Sequence, residues 1–152
     1  KLFCQGQKQN PKAVTHMQRV GHFEFGLDRK IINVGDNKVV QNIRRYWNEG
    51  REVEAYATAW NSVYGYVYDS VKADDSLRSS ICFVRYEDLC EGPMSVIERI
   101  CEHVEIDTSK CILEKYAAKI SFPDYYQTNL SGDDVDKVQA ITKRVAGLFG
   151  YA

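Results

Sequence analysis

Four consecutive residues, Arg85-Tyr86-Glu87-Asp88, put a guanidinium, a phenol and two carboxylates directly after the apolar run Ile81-Cys82-Phe83-Val84. A short apolar run of that kind reads as a buried strand over 81–86, and in open α/β sheets ligands bind beyond the carboxyl ends of the strands. Tyr86 offers an aromatic body with a polar tip at such an end; the plainer alternative is a core-edge tyrosine satisfied by a backbone group. Glu87 and Asp88 are adjacent, so on an extended segment they face opposite ways and form no tight acid–base dyad. Their expected work is to cap the next helix and to pair with a base such as Arg85 or Arg44. The rival role, an acid that coordinates Mg²⁺ behind an apolar strand, is disfavoured by the Arg-Tyr interruption.

The other reactive side chains are scattered. Five cysteines (Cys4, Cys82, Cys90, Cys101, Cys111) contain no Cys-x-x-Cys pair. Cys82 and Cys101 fall at apolar-patterned positions and read as buried small hydrophobes. A reducing compartment is the simpler inference, which makes the cytoplasm the expected location, with the Golgi lumen open if an anchor precedes the chain. His16, His22 and His103 lack ligand spacing, so no metal is expected. Over 152 residues the net charge is −1, which excludes a broad basic field for nucleic acid or an anionic membrane. A local phosphate site needs only a few donors and stays open. No stretch approaches the roughly 20 apolar residues of a membrane span. Apolar residues at 44% and charged residues at 27% fit one globular domain over 1–152, or part of one.

The elements that must position these groups read mostly as helices. Asn10-Pro11 marks a turn opening a helix over 12–19. Gly21 and Gly26, with Phe23 and Phe25, suggest an irregular loop. Residues 30–40 read either as a hairpin around Gly35-Asp36-Asn37 or as the approach to a helix capped by Asp36 and running to about Trp47; the helix is favoured. Val53, Tyr56, Ala57, Trp60, Val63, Tyr64, Val67 and Val71 recur at three- and four-residue steps, predicting a core-facing helix over 52–72 that Asp74-Asp75-Ser76 ends. Pro93 suits the first turn of a helix striped by Val96, Ile97, Ile100, Cys101 and Val104, with His103 near its end. Thr108 starts another, with Ile112, Leu113, Tyr116, Ala117 and Ile120 inward. Residues 121–129 form an aromatic loop with Tyr125 and Tyr126. Ser131-Gly132-Asp133-Asp134 has the form of a capping box for a last helix that Gly150 ends. One strand thus stands beside a majority of helices. A lone strand leaves its backbone unpaired. Residues 2–5 offer at most one short partner, so the remaining sheet is expected upstream of residue 1 or on another chain.

The segment Tyr86-Glu87-Asp88-Leu89-x-x-x-Pro93, with the helix carrying Ile97, Ile100 and Val104 behind it, resembles the matching segment of the sulfotransferases that use 3′-phosphoadenosine 5′-phosphosulfate. The Trp60-bearing helix and the ending Leu148-Phe149-Gly150-Tyr151 are similar to that family as well, so the resemblance covers roughly residues 50–151. It implies an α/β fold: a P-loop-like sandwich with a parallel sheet flanked by helices, present here as an incomplete, helix-rich C-terminal part. It implies transfer of a sulfuryl group from that nucleotide to a hydroxyl or amine on a small molecule, sugar or protein. The implied partners are the nucleotide co-substrate and the acceptor, without nucleic acid or a membrane span; a homo-oligomer stays open.

The resemblance also implies site residues. Tyr86 would touch the adenine portion of the nucleotide. Ser121 and Phe122 match a family Ser-Phe that touches the adenine ring, against the alternative of loop residues packing on the domain. Gln9-Asn10-Pro11-Lys12-Ala13-Val14 resembles a family frame whose leading Arg, with a Ser eight residues on, binds the 3′-phosphate; here Gln9 and Met17 occupy those two places. Gln gives no charged bidentate clamp, and Met gives no useful hydrogen bond to a phosphate. Lys12, with Lys8 or Arg19, is then the remaining cationic donor, unless Asn-Pro-Lys is merely a turn opening a helix. The family's Gly- and Lys-bearing 5′-phosphosulfate loop and its catalytic base have no counterpart in these residues. Catalytic residues are therefore expected outside this chain, and the segment alone is expected to be inactive. Two other readings compete: a non-catalytic binding module of the same family, and a nucleotide kinase or ATPase fragment using Asp88 on Mg²⁺.

Overall fold

The computed structural model describes residues 8–10, 12–20, 26–27, 29–107, 109–123 and 129–151, the side chain of Cys111 excepted. Eight helices can be traced among them: α1 (Lys12–Arg19), α2 (Asn37–Asn48), α3 (Glu52–Ala73), α4 (Asp75–Ser80), α5 (Tyr86–Glu91), α6 (Pro93–His103), α7 (Lys110–Ala117) and α8 (Gly132–Leu148). The described residues contain no strand, which overturns the expected parallel sheet and with it the P-loop-like sandwich; the helix-rich character is what remains. The two ends of the 81–85 run are extended, with φ −115° and ψ 120° at Ile81 and φ −78° and ψ 137° at Arg85. Among the described residues no second extended segment runs beside them. An extended run becomes a strand only when a neighbour takes its backbone hydrogen bonds. Tyr86, expected to close that strand, is instead the first residue of α5. Residues 2–5, the other expected strand, lie outside the described residues, as do Pro11, Phe23, Phe25, Thr108, Tyr125 and Tyr126.

The chain forms two compact units. The first comprises Lys1–Tyr66 with Lys137–Thr142, and the second Val67–Asp136 with Lys143–Ala152. In the first, Asp36 settles the ambiguous 30–40 region in favour of a helix. Its Oδ1 accepts from the backbone N–H groups of Lys38 (2.9 Å) and Val39 (3.1 Å), two of the donors a helix start leaves open. The apolar side of α2 buries Ile43 to 1% exposure. Gly50, at φ 74°, ends the helix: its N–H donates to Trp47 O and that of Arg51 to Tyr46 O, the paired bonds of a Schellman turn. Both tryptophans of the chain belong to this unit. Trp47 meets Tyr56 edge-on at 6.0 Å and carries the Arg29 guanidinium over its ring at 4.3 Å, while Trp60 stacks on Tyr64 at 4.6 Å. Along α3 the buried residues of this unit are small, Ala55, Ala57 and Gly65; Tyr64, expected inward, is exposed.

In the second unit α3 ends with Val71 buried, and the acidic cluster that stops it also starts α4. Asp74 Oδ1 accepts from Ser76 N (2.8 Å) and Leu77 N (3.2 Å). Pro93 opens α6, and α6 packs against both α5 and α7. Val96, Leu113 and Ala117 are buried as the stripes predict, whereas Val104, Ile112 and Tyr116 are exposed. Helix α8 begins with Ser131 Oγ accepting from Asp134 N at 3.2 Å, and Val145 is completely buried. It ends in a Schellman turn at Gly150, φ 79°, as expected.

Helix α6 ends the same way, yet the left-handed position is taken by Glu105 at φ 56°. Its N–H donates to Glu102 O, and Ile106 N donates to Cys101 O at 2.9 Å. A side chain in that conformation costs about 1–2 kcal/mol that glycine avoids. Part of the gain is returned, because glycine also loosens the unfolded chain by about 0.4–1 kcal/mol. Glu105→Gly is therefore expected to stabilise the protein by about 0.5–1 kcal/mol, read as a rise of a few degrees in Tm. The β-branched Glu105→Val should lower it.

Candidate functional site

Tyr86 begins α5 with 52% of its surface exposed, and Phe122, in the loop after α7, is 50% exposed. Their rings meet edge-on, 6.4 Å between centroids and 88° between planes. The second unit therefore brings together two of the residues singled out in the sequence, with the exposed Ser121 beside Phe122. Half-exposed rings in edge contact are suited to present a π face to a planar base. Lys12 belongs to the first unit. It is exposed in the opening turn of α1, and its N–H donates to Asn10 Oδ1 at 3.2 Å. That bond and Ala13 N to Asn10 O (2.9 Å) are the turn-opening-a-helix geometry. Gln9 is exposed and Met17 half-buried.

Arg85 organises the entry to α5. Its Nε and Nη2 donate to Asp88 Oδ1 at 3.1 and 2.6 Å, and its Nη1 donates to the Gly150 carbonyl. The guanidinium centre lies 5.2 Å from the middle of the Tyr151 ring, and the Tyr151 hydroxyl donates to Glu87 Oε2 at 3.0 Å. The hydrogen bonds to Asp88 raise the Arg85 pKa further above its already high ordinary value. Arg85, one of the two bases named for the acids, thus pairs with Asp88. The expected capping does not occur: neither α5 nor α6 has a side-chain cap. Because Glu87 and Asp88 sit in a helix, they do not take the opposite faces expected of a strand. What the sequence reading missed is the tail. Leu148-Phe149-Gly150-Tyr151 marked a helix end, and the signal for more was an aromatic on each side of the helix-ending glycine, close to a chain rich in aromatic and charged side chains.

Two clefts open elsewhere in this unit. One, of about 530 Å³, is lined by Asp88, Glu91, Gly92, Ser95, Val96 and Arg99; the other, of about 240 Å³, by Tyr68, Val71, Lys72, Arg78, Ile81 and Phe83. Tyr86 and Phe122 line neither. Cys82, Cys90 and Cys101 are half-buried free thiols. Among the described residues no three His, Cys, Asp or Glu side chains cluster as metal ligands, and no helix is long and apolar enough to cross a membrane.

Comparison with known proteins gives one finding. A family model described as a sulfotransferase domain matches residues 22–145. That range includes Arg85, Tyr86, Ser121 and Phe122 and leaves out the frame at 9–17. No curated protein and no solved structure matches the chain significantly.

Ring pairs add only about 0.5–1.5 kcal/mol beyond burial, and half-exposed residues bury little. Tyr86→Ala and Phe122→Ala are each expected to cost about 1 kcal/mol or less in urea unfolding. Ile43→Ala, which empties a fully buried site, should cost about 2–5 kcal/mol.

Proposed function

The chain belongs to the sulfotransferase family, and on that premise we propose that it carries the nucleoside-holding side of an enzyme moving a sulfuryl group from 3′-phosphoadenosine 5′-phosphosulfate to a hydroxyl or amine acceptor. The observation that supports this most is the exposed Tyr86–Phe122 pair, with Ser121 adjacent, inside the matched range. Aromatic residues kept half in solvent contribute little to packing and suit stacking on adenine. The phosphate end fits less well. Gln9 and Met17 lack a charged or hydrogen-bonding clamp, which leaves Lys12, with Lys8 or Arg19, as the cationic donors in that frame. Sulfuryl transfer needs charge neutralisation around the moving group and a base at the acceptor. This sequence has no Gly- and Lys-bearing phosphosulfate loop, so these residues bind without transferring by themselves. Among the described residues Cys82, Cys90 and Cys101 are free thiols, which suits a reducing compartment such as the cytoplasm.

A non-catalytic binding module of the same family is the second reading, favoured by Gln9 and Met17. A Mg²⁺-nucleotide site on Asp88 is opposed by the guanidinium 2.6 Å from its carboxylate.

Calorimetric titration of adenosine 3′,5′-bisphosphate into the full-length protein tests the proposal. Tyr86→Ala and Phe122→Ala are each expected to weaken binding about 5- to 150-fold, the equivalent of 1–3 kcal/mol of base stacking. Binding by wild type that neither substitution changes would remove the two rings from the site. Tight Mg²⁺-ATP binding abolished by Asp88→Asn would replace the proposal with the ATPase reading, and binding of neither nucleotide would leave the non-catalytic module.

A further inference from the structure

Tyr86 opens α5 between Arg85 and Glu87. Its half-exposed ring meets Phe122 edge-on. The residues on either side of it both reach the end of the chain. Arg85 donates to the Gly150 carbonyl and lies over the Tyr151 ring; Glu87 accepts from the Tyr151 hydroxyl at 3.0 Å. Phe149 is wedged edge-on against Phe83 at 5.1 Å and Tyr68 at 5.6 Å. Gly150, at φ 79°, makes the turn between these grips, and a Cβ there would stand 3.3 Å from Arg85 Nη1. Three consecutive tail residues therefore hold the chain on both sides of Tyr86.

We infer that Tyr151, acting through Arg85 and Glu87, is a positioning residue that presets Tyr86 against Phe122 for stacking on an adenine ring. The inference rests on the proposed function. A side chain already held in its bound position binds more tightly, because less ordering remains to be done on binding. Tyr151 acts on the backbone that carries the aromatic ring, so its effect is on affinity as well as on the local stability of α5.

The test titrates adenosine 3′,5′-bisphosphate into the full-length protein carrying Tyr151→Ala, Tyr151→Phe, Glu87→Ala or Glu87→Gln. Tyr151→Ala and Glu87→Ala are expected to weaken binding roughly tenfold, as small displacements of a positioned group do. Glu87→Gln keeps an oxygen that accepts from Tyr151 and should bind as wild type does. Tyr151→Phe keeps the ring under Arg85 and should fall between. Without nucleotide, exchange of the Leu89 and Gly92 amides, bonded to Arg85 O and Asp88 O, should quicken in Tyr151→Ala. Melting curves identify any variant that does not fold, and the Glu87 pair then decides. Wild-type affinity in a folded Tyr151→Ala or Glu87→Ala variant, or equal losses in Glu87→Ala and Glu87→Gln, overturns the inference alone. Failure of the wild-type protein to bind overturns the nucleotide reading and this inference with it.

Discussion

One guanidinium joins the start of α5 to the end of α8. Arg85 reaches forward three residues to Asp88 and across 65 residues to Gly150. The planar fork of arginine lets one side chain serve both acceptors at once, which the point charge of a lysine does less well. The ion pair is partly exposed, at 31% and 40% for its two side chains, so charge attraction alone stabilises it little. Its importance is geometric. A donor shared between a carboxylate and a distant carbonyl fixes where α5 starts and where the chain ends.

What the sequence made legible was local. Asp36 and Ser131 are polar residues just ahead of apolar periodic runs; Pro93 and Gly150 sit where one lacks an N–H the helix does not need and the other tolerates a left-handed turn. Each acts within a few residues, so each could be read from its own neighbourhood. Strand formation is different in kind. The run at 81–85 has the composition of a strand and is extended at both ends, but pairing is a property of a second segment, and none of the described residues supplies one. Reading 81–86 as a strand therefore got the architecture wrong, and Tyr86 belongs to a helix.

The site divides along the same line. Tyr86 and Phe122 were found through a family likeness carried by short motifs, and the structure sets them edge to edge. Arg85 was named in the sequence as one of two bases for the acids, although the helix start that sets it beside Asp88 was read there as a strand end. The grip of Tyr151 on Glu87 was not, since nothing in either neighbourhood names the other. The matched family range begins after the Gln9–Met17 frame. The aromatic pair lies inside that range, whereas Gln9 and Met17, which offer neither charge nor a phosphate clamp, lie outside it.

Trp47 and Trp60 both lie in the first unit, one under Arg29 and the other against Tyr64. The chain has no other tryptophan. Indole emission therefore comes from the first of the two units. Circular dichroism, which registers helix wherever it melts, sees both. A gap between the two optical transitions would measure how independently the halves come apart, without a label on either.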